Sequence, residues 1–293
     1  MSGQPAPDRS ATLLALGAIG LWGTLAALGV ELAHVPPFLL TGLALGVGGL
    51  MALPLAGPGL SRWRVPLPTL ALGVGGLFGF HFLLFMALRH APAVQANLIN
   101  YLWPLLMVVL APYLLPGLRM RPRHVLAALL GFAGAAVVIL GGEGSPSTPA
   151  SATLAQAGGG YALAVLSATV WAGYSLLTRR VPHFPTAAIG GFALLSGLLS
   201  LGCHLLLEPA MSLTARDTLL ILALGLGPMG AAFFLWDMAL KRGDARHIGI
   251  LSYLTPLVST AVLVLVGGRD FGWHLALATA MIVGAALLGT RGA

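Results

Sequence analysis

The sequence is divided into long apolar stretches that contain no charged residue. Residues 11–30, between Ser10 and Glu31, form the first of them. About 20 apolar helical residues cross the hydrocarbon core of a bilayer, and these runs lack the alternation of a membrane β-barrel. Only 8% of the residues are charged, against roughly a quarter in soluble proteins. The composition therefore excludes a soluble enzyme and a disordered chain, and it predicts an integral membrane protein.

The apolar stretches, separated by charges and turn residues, predict ten transmembrane helices. A cleaved signal peptide is the competing interpretation of the first stretch, but its apolar region would be about 7–15 residues long, so we expect a retained helix. The predicted helices cover residues 11–30, 36–56, 66–88, 92–115, 122–140, 157–177, 185–207, 215–240, 245–266 and 271–290.

The positions of the charges predict the orientation of the helices. Lys and Arg in short loops mark the cytoplasmic side, and with ten helices most of them fall on one side, which places both termini in the cytoplasm. The net charge of +7 is then a topology signal and not a nucleic-acid-binding surface, for which the charges would have to cluster on one face. The residues left for the external side are Glu31, Arg89, Glu143, Glu208, Arg216, Asp217, Arg269 and Asp270.

The two halves of the chain are similar to each other. Residues 72–105 align with residues 224–257 without a gap, and the aligned pairs include Tyr101 with Tyr253 and Pro104 with Pro256. We divide the chain into a cytoplasmic tail (residues 1–10), a first five-helix repeat (11–140), a loop rich in Gly, Ser and Pro (141–156) and a second repeat (157–291). Because five is an odd number, the repeats enter the membrane from opposite sides. This inverted arrangement is found in many secondary transporters, so it predicts a carrier.

Several of these features together resemble the drug/metabolite transporter superfamily, in its EamA-type branch, over essentially the whole chain. They are the five-plus-five repeat, Trp22 and Trp171 in helices one and six, and a proline in helices four and nine. The segment Asn-Tyr-Leu-Trp-Pro at residues 100–104, with His81 on the preceding helix, is similar to bacterial aromatic amino-acid exporters. The resemblance implies a multi-pass protein of the bacterial cytoplasmic membrane that expels aromatic amino acids and related metabolites.

Polar residues at membrane depth are costly and usually face a bundle interior or a wet cavity. His81 is the strongest candidate, because its ring nitrogens can bond a substrate carboxylate or amine. A bond to a neighbouring backbone carbonyl is the structural alternative. Asn97, Asn100 and Tyr101 are spaced to share one helical face, and Trp103 continues this segment towards the middle of the membrane.

Aromatic residues supply the other candidate contacts with a substrate. Trp22 and Trp171 are expected to face one another across a cavity and to stack with an aromatic substrate. Tyr174 lies one turn from Trp171, and Tyr253 is the second-repeat counterpart of Tyr101. Core packing remains the alternative for each of them.

Two prolines and one carboxylate complete the candidates. Pro104 and Pro256 lie inside predicted spans, where each removes a backbone hydrogen bond, so they are either paired hinges or inert kinks. Asp237 is the only carboxylate expected inside a span, and its spacing from Lys241 favours a surface ion pair. With His81 as nearly the only central titratable group, we expect facilitated export or weak coupling to protons.

Other functions remain open at this point. Within transport, the alternatives are the export of other amino acids, amphiphilic metabolites or drugs. An intramembrane enzyme would need a pairing such as Ser167 or Ser175 with His81, and a structural bundle would leave the inverted repeat without a use. With Cys203 as the only cysteine, neither a disulfide framework nor a metal site built on cysteines is available, and no metal or other cofactor is expected. A closed ten-helix unit needs no partner to form a pathway, so we expect a monomer.

Overall fold

The computed structural model of the protein describes residues 9–115, 117–118, 120–141, 154–267 and 273–290. These residues form helices and connecting turns, with no strand among them. Most of the loop predicted at residues 141–156 lies outside the described residues. The helices are α1 (Arg9–Gly23), α2 (Leu25–Glu31), α3 (Pro37–Met51), α4 (Leu67–His90), α5 (Ala93–Asn100), α6 (Trp103–Leu114), α7 (Pro122–Gly141), α8 (Leu154–Leu177), α9 (Ala188–Leu207), α10 (Ala215–Leu226), α11 (Ala232–Arg242), α12 (Ala245–Leu251), α13 (Leu254–Gly267) and α14 (Trp273–Thr290).

Eight helical segments of the described residues are long and apolar enough to cross a membrane. They correspond to the first eight predicted spans. The ninth predicted span is formed by α12 and α13, and the tenth contains α14, whose apolar part Trp273–Gly289 is shorter. The chain is therefore a multi-pass, all-helical membrane protein in the residues described.

Four of the predicted helices are interrupted, two of them next to Pro104 and Pro256, where the sequence predicted hinges or kinks. The first span breaks at Thr24, between α1 and α2. The eighth contains a π-helical segment, Gly227–Ala231, between α10 and α11. Pro228 lies in this segment and has no N–H to donate to the preceding turn, which gives the irregular backbone a local cause.

The fourth and ninth predicted spans break at nearly equivalent points of the two halves. Tyr101 and Leu102 separate α5 from α6, while Ser252 and Tyr253 separate α12 from α13. Pro104 and Pro256 lie in the first turns after these breaks, where a missing N–H is tolerated. The breaks remain tight turns, because Tyr101 N–H bonds the Asn97 carbonyl at 3.0 Å and Ser252 N–H bonds the Ile248 carbonyl at 3.1 Å.

Helices of one half pack mainly against helices of the other half. Two of these contacts join helices that occupy equivalent places in the two repeats, α3 with α9 and α7 with α14. The contact of α4 with α8 is equivalent, with the repeats exchanged, to the contact of α1 with α11. At the α3–α9 contact, a Cβ added to Gly197 would lie 2.8 Å from the Gly42 carbonyl oxygen, so both backbones approach through small residues. The packing places α1, α4, α6, α8 and α11 around the centre of the protein.

Ionisable side chains pair with one another at the two ends of the bundle. At the end predicted to be external, Arg89 lies 3.0 Å from Glu208, His34 lies 3.1 Å from Asp217, and Arg216 bonds Glu31. At the opposite end, the nitrogen of Lys241 lies 2.6 Å from the Asp237 carboxylate. The contacts at the first end join segments that are distant in sequence, whereas the ion pair at the second end lies within one helix, α11.

The Asp237–Lys241 pair was predicted correctly, but its placement on the surface was wrong. The Asp237 side chain is only 3% exposed, and it also accepts a hydrogen bond from the Thr186 hydroxyl at 2.6 Å. Lys241 in turn donates to the Phe184 carbonyl at 2.9 Å and lies over the Phe184 ring. The segment before α9 covers the pair. This segment lies about 50 residues from the pair in the sequence, so the contact could not be predicted from the spacing of Asp237 and Lys241.

Candidate functional site

A cavity of about 410 Å³ lies at the centre of the bundle, within the range typical of small-molecule sites. The described residues that line it carry no charge. Leu25 lies beyond the break after α1, Thr41 near the start of α3 and Phe85 near the end of α4, so the cavity is displaced towards the end with Glu31 and Arg89. The lining residues are Trp22, Leu25, Ala26, Leu40, Thr41, Phe80, His81, Leu84, Phe85, Asn97, Asn100, Tyr101, Trp103, Trp171, Leu224, Pro228, Met229, Phe233, Thr255 and Ser259.

Most of the residues singled out from the sequence meet in this cavity. Those that line it are Trp22, His81, Asn97, Asn100, Tyr101, Trp103 and Trp171. Tyr174 and Tyr253 do not. Tyr174 lies behind the wall, 5.5 Å from the Trp171 ring and against Gly76, and Tyr253 is fully buried against Gly131.

His81 projects from α4 with one ring nitrogen bonded to its own helix. Its Nδ1 lies 2.7 Å from the Leu77 carbonyl oxygen, and since a carbonyl only accepts, Nδ1 must carry the proton. Nε2 of the neutral ring is then an acceptor, and it has no hydrogen bond to the residues described. The backbone bond expected as an alternative is present, yet it leaves the second nitrogen available to a ligand.

The break between α5 and α6 presents polar side chains to the cavity. Asn100, the last residue of α5, is 5% exposed, and its Oδ1 has no hydrogen-bond partner in the described part of the chain. Thr255, near the start of α13, is 7% exposed and its hydroxyl is likewise unpaired there. Both oxygen atoms are enclosed by the surrounding protein, and since buried polar atoms without partners are rare, we add both lining residues to the candidate site. Thr255 was absent from the sequence-based candidates.

Three tryptophans, Trp22, Trp103 and Trp171, form the aromatic wall of the cavity. Together with Trp236, which packs against two of them, we call them the tryptophan cluster. Trp22 and Trp171 meet edge to face with ring centroids 5.9 Å apart. They were expected to face one another across the cavity, but they share one wall of it. Trp236 is 5.1 Å from Trp22 and 5.7 Å from Trp103.

Trp236 was missed by the sequence analysis. Its side chain is 1% exposed, so it supports the cavity-lining rings from behind. The available signal was a tryptophan away from the ends of an apolar span, which is the same signal that identified Trp22. Phe233, one turn earlier on α11, lines the cavity and lies 5.7 Å from the Trp171 ring.

The serines considered for an enzyme are engaged elsewhere. The Ser167 hydroxyl donates to the Phe80 carbonyl at 3.0 Å, and the Ser175 oxygen accepts from the Trp236 indole at 3.1 Å. Neither is bonded to His81. Within the described residues there is also no group of three or more His, Cys, Asp or Glu side chains that could hold a metal ion.

Comparison with known proteins gives a consistent family assignment. The EamA-like transporter family matches residues 9–140 and again residues 158–291. A curated relative from Ancylobacter novellus, named aromatic amino acid exporter YddG, is 43% identical over 96% of this chain and 97% of its own length. A protein of the same name from Escherichia coli K12 is 27% identical over 96% of both chains. A probable amino-acid metabolite efflux pump from Salmonella typhimurium is 26% identical over 94% of both.

A solved crystal structure has the same fold. It is 43% identical in sequence to this chain, and the two superpose with a TM-score of 0.87 over 96% of this chain and 97% of that one.

Proposed function

Because the chain belongs to the EamA-like transporter family, of the drug/metabolite transporter superfamily, we propose that it exports aromatic amino acids across the bacterial cytoplasmic membrane by alternating access. The observation that carries the proposal is the cavity wall. Indole rings of Trp22, Trp103 and Trp171 form one side of it, and uncharged polar side chains form another. Aromatic rings pack edge to face or offset at such distances, so a substrate ring is accommodated among them.

The polar lining fits the zwitterionic part of an amino acid. Nε2 of His81 accepts a hydrogen bond from an ammonium group, and Asn97, Asn100 and Tyr101 offer further amide and hydroxyl groups. No acidic residue lines the described cavity, which disfavours a carrier dedicated to organic cations. Phe, Tyr and Trp share the features that this surface recognises.

Alternating access needs two related packings, and we propose that ten helices in two inverted repeats supply them. The mirrored contacts of α1 with α11 and of α4 with α8 support this symmetry. Pro104 and Pro256 are the proposed hinges, since each follows a break in its helix. The displacement of the cavity towards Glu31 and Arg89, the end proposed to be external, fits an outward-facing arrangement.

Flux measurements in proteoliposomes test the function. We expect counterflow of radiolabelled Phe, Tyr and Trp above that of empty liposomes, with Thr near background. His81→Ala and Trp171→Ala should lower the flux of all three. Ser196→Ala is a matched control, because Ser196 is buried on α9, its hydroxyl has no partner in the described residues, and it does not line the cavity. Flux of Thr without flux of the aromatic substrates would contradict the substrate proposal.

The same vesicles test coupling, and intact cells test topology. With no carboxylate lining the described cavity, we propose facilitated export, and uphill flux driven by an imposed pH gradient would contradict it. For topology, single-cysteine variants are made in a Cys203→Ala background. We expect a maleimide that cannot cross the membrane to label Arg216→Cys but not Arg64→Cys in intact cells, since these exposed residues lie at opposite ends of the bundle.

A further inference from the structure

The tryptophan cluster divides into two pairs according to where each indole N–H group points. The Trp22 N–H donates to the Pro228 carbonyl oxygen at 3.1 Å, and the Trp236 N–H donates to the Ser175 hydroxyl oxygen at 3.1 Å. The N–H groups of Trp103 and Trp171 have no hydrogen bond to any residue that the structure describes. Two of the four donors are thus used by the protein itself and two are not.

The unpaired donors belong to rings that are almost completely buried. Trp103 is 6% exposed and Trp171 is 3% exposed, and their rings meet edge to face 6.3 Å apart. Neither indole nitrogen is among the enclosed side-chain atoms that lack a partner, so both remain accessible, and both rings line the cavity. A buried indole N–H normally has an acceptor. Its absence from the protein indicates that a ligand supplies one.

The surroundings favour an anionic acceptor. Trp103 is the first residue of α6, a helix of 12 residues, and the amino end of a helix carries a positive partial charge. No Lys or Arg lines the described cavity, so neutral N–H donors are the available groups for an anion. Hydrogen bonds from such donors to an ionised acceptor are stronger than those between neutral groups.

We propose that the indole N–H groups of Trp103 and Trp171 together bind the carboxylate group of the exported amino acid. This inference rests on the proposed function and adds the group of the substrate that is recognised. His81, whose Nε2 accepts, is then left for the ammonium group, and the two ends of the zwitterion are met by different elements of the cavity. An aromatic ligand that keeps its carboxylate should bind, while its decarboxylated analogue should bind poorly.

A series of ligands distinguishes the contributions of the carboxylate and the ammonium group of the substrate to binding. The measurements are the inhibition of radiolabelled Phe counterflow and the rise in denaturation temperature of the purified protein, which reports binding without transport. The probes are Phe, 3-phenylpropionate, which lacks the ammonium group, and phenethylamine, which lacks the carboxylate. We expect the half-inhibiting concentration of phenethylamine to exceed that of Phe by about tenfold or more, since a hydrogen bond to a charged group has at least this effect.

Substitution by phenylalanine removes the N–H while keeping an aromatic ring. Trp103→Phe and Trp171→Phe should each weaken the binding of free Phe and of 3-phenylpropionate by about tenfold. The binding of phenethylamine should be unchanged. Trp22→Phe and Trp236→Phe are the matched controls, because they remove an N–H that is bonded within the protein. They should lower the stability of the protein. The ratio of the half-inhibiting concentrations of phenethylamine and 3-phenylpropionate should be the same as in the wild type.

The outcomes distinguish this inference from the proposed function. If Phe is transported but the ratio is the same in all four variants, the carboxylate site is refuted and the exporter stands. Equal inhibition by phenethylamine and Phe in the wild type also refutes the site. If no aromatic amino acid is transported while carboxylate ligands raise the denaturation temperature only when both indoles are present, the site stands and the exporter is refuted. No transport and no binding refute both.

Discussion

The two helix breaks, between α5 and α6 and between α12 and α13, share a backbone design but present different chemistry. In each, a short helix ends, two residues form a turn, and a proline lies in the first turn of the next helix. Tyr101 of the first break lines the cavity, whereas its counterpart Tyr253 is fully buried away from it. The repeat therefore conserves the shape of the break and not the use of its side chains.

The residues next to these tyrosines differ in the same way. Asn100 lines the cavity and has an enclosed amide oxygen without a partner among the described residues, while its counterpart Ser252 donates its hydroxyl to the Ile248 carbonyl at 2.9 Å. Trp103 brings an indole to the cavity where the second repeat has only Thr255. We conclude that duplication supplies the scaffold and that divergence concentrates the proposed recognition in the first repeat.

The largest expected difference between the breaks is the one between their tyrosines. Tyr253 packs so closely that a Cβ added to Gly131 would lie 2.4 Å from its ring. We expect Tyr253→Ala to lower the free energy of unfolding by about 3–5 kcal/mol, as for other large buried aromatic residues, measured by thermal denaturation in detergent. Tyr101→Ala should lower Phe flux with a smaller loss of stability. Equal stability losses would show that the two breaks are structurally equivalent.

Trp103 and Thr255 test whether substrate recognition is concentrated in the first repeat. Trp103→Ala removes an indole in contact with Trp171 and Trp236, and we expect Phe counterflow to fall about 100-fold, the effect of losing about 2.7 kcal/mol of binding. Thr255→Ala should change it by less than about fivefold. The amount of folded protein, measured by size-exclusion chromatography, controls for lost packing. A larger effect at Thr255 would reverse the comparison.

The apolar pattern predicted a large part of this architecture, because membrane depth penalises polar groups. That penalty identified His81, Asn97 and Asn100, since a polar residue within an apolar run needs a reason to be there. Repetition within the chain then identified Trp22 and Trp171 as a related pair. These signals depend on composition and position along one helix, so they can be read without knowing the packing.

The remaining features depend on which helices touch. Nothing in the second-repeat sequence indicates that Tyr253 turns towards Gly131 rather than the cavity, and the burial of Asp237 depends on Phe184 and Thr186 from a distant segment. The π-helical segment was also missed, although Pro228 marked it. Contacts between distant helices decide such details, and one sequence contains no direct signal of them.

Asp237 is a further position at which the two repeats differ, because its counterpart in the first repeat is Phe85, which lines the cavity. Breaking a buried ion pair typically costs 3–5 kcal/mol. Lys241 is 23% exposed and keeps its bond to the Phe184 carbonyl, so we expect Asp237→Asn to lower stability by about 2 kcal/mol. The double variant with Lys241→Met should recover part of this loss. Without such recovery, the ion pair is not what Asp237 contributes.

The smallest expected effect is at Asn97, where the second repeat has Gly249. Gly249 lies in a tight helix contact, since a Cβ there would lie 3.3 Å from both Met107 Cβ and the Pro104 carbonyl oxygen. Asn97 instead lines the cavity and is partly exposed. A hydrogen bond that competes with water contributes about 0.5–1.5 kcal/mol, so Asn97→Ala should raise the half-saturating concentration of Phe about threefold at an unchanged denaturation temperature. If stability falls while transport is unaffected, Asn97 is a packing residue like Gly249, and recognition in the first repeat begins only at Asn100.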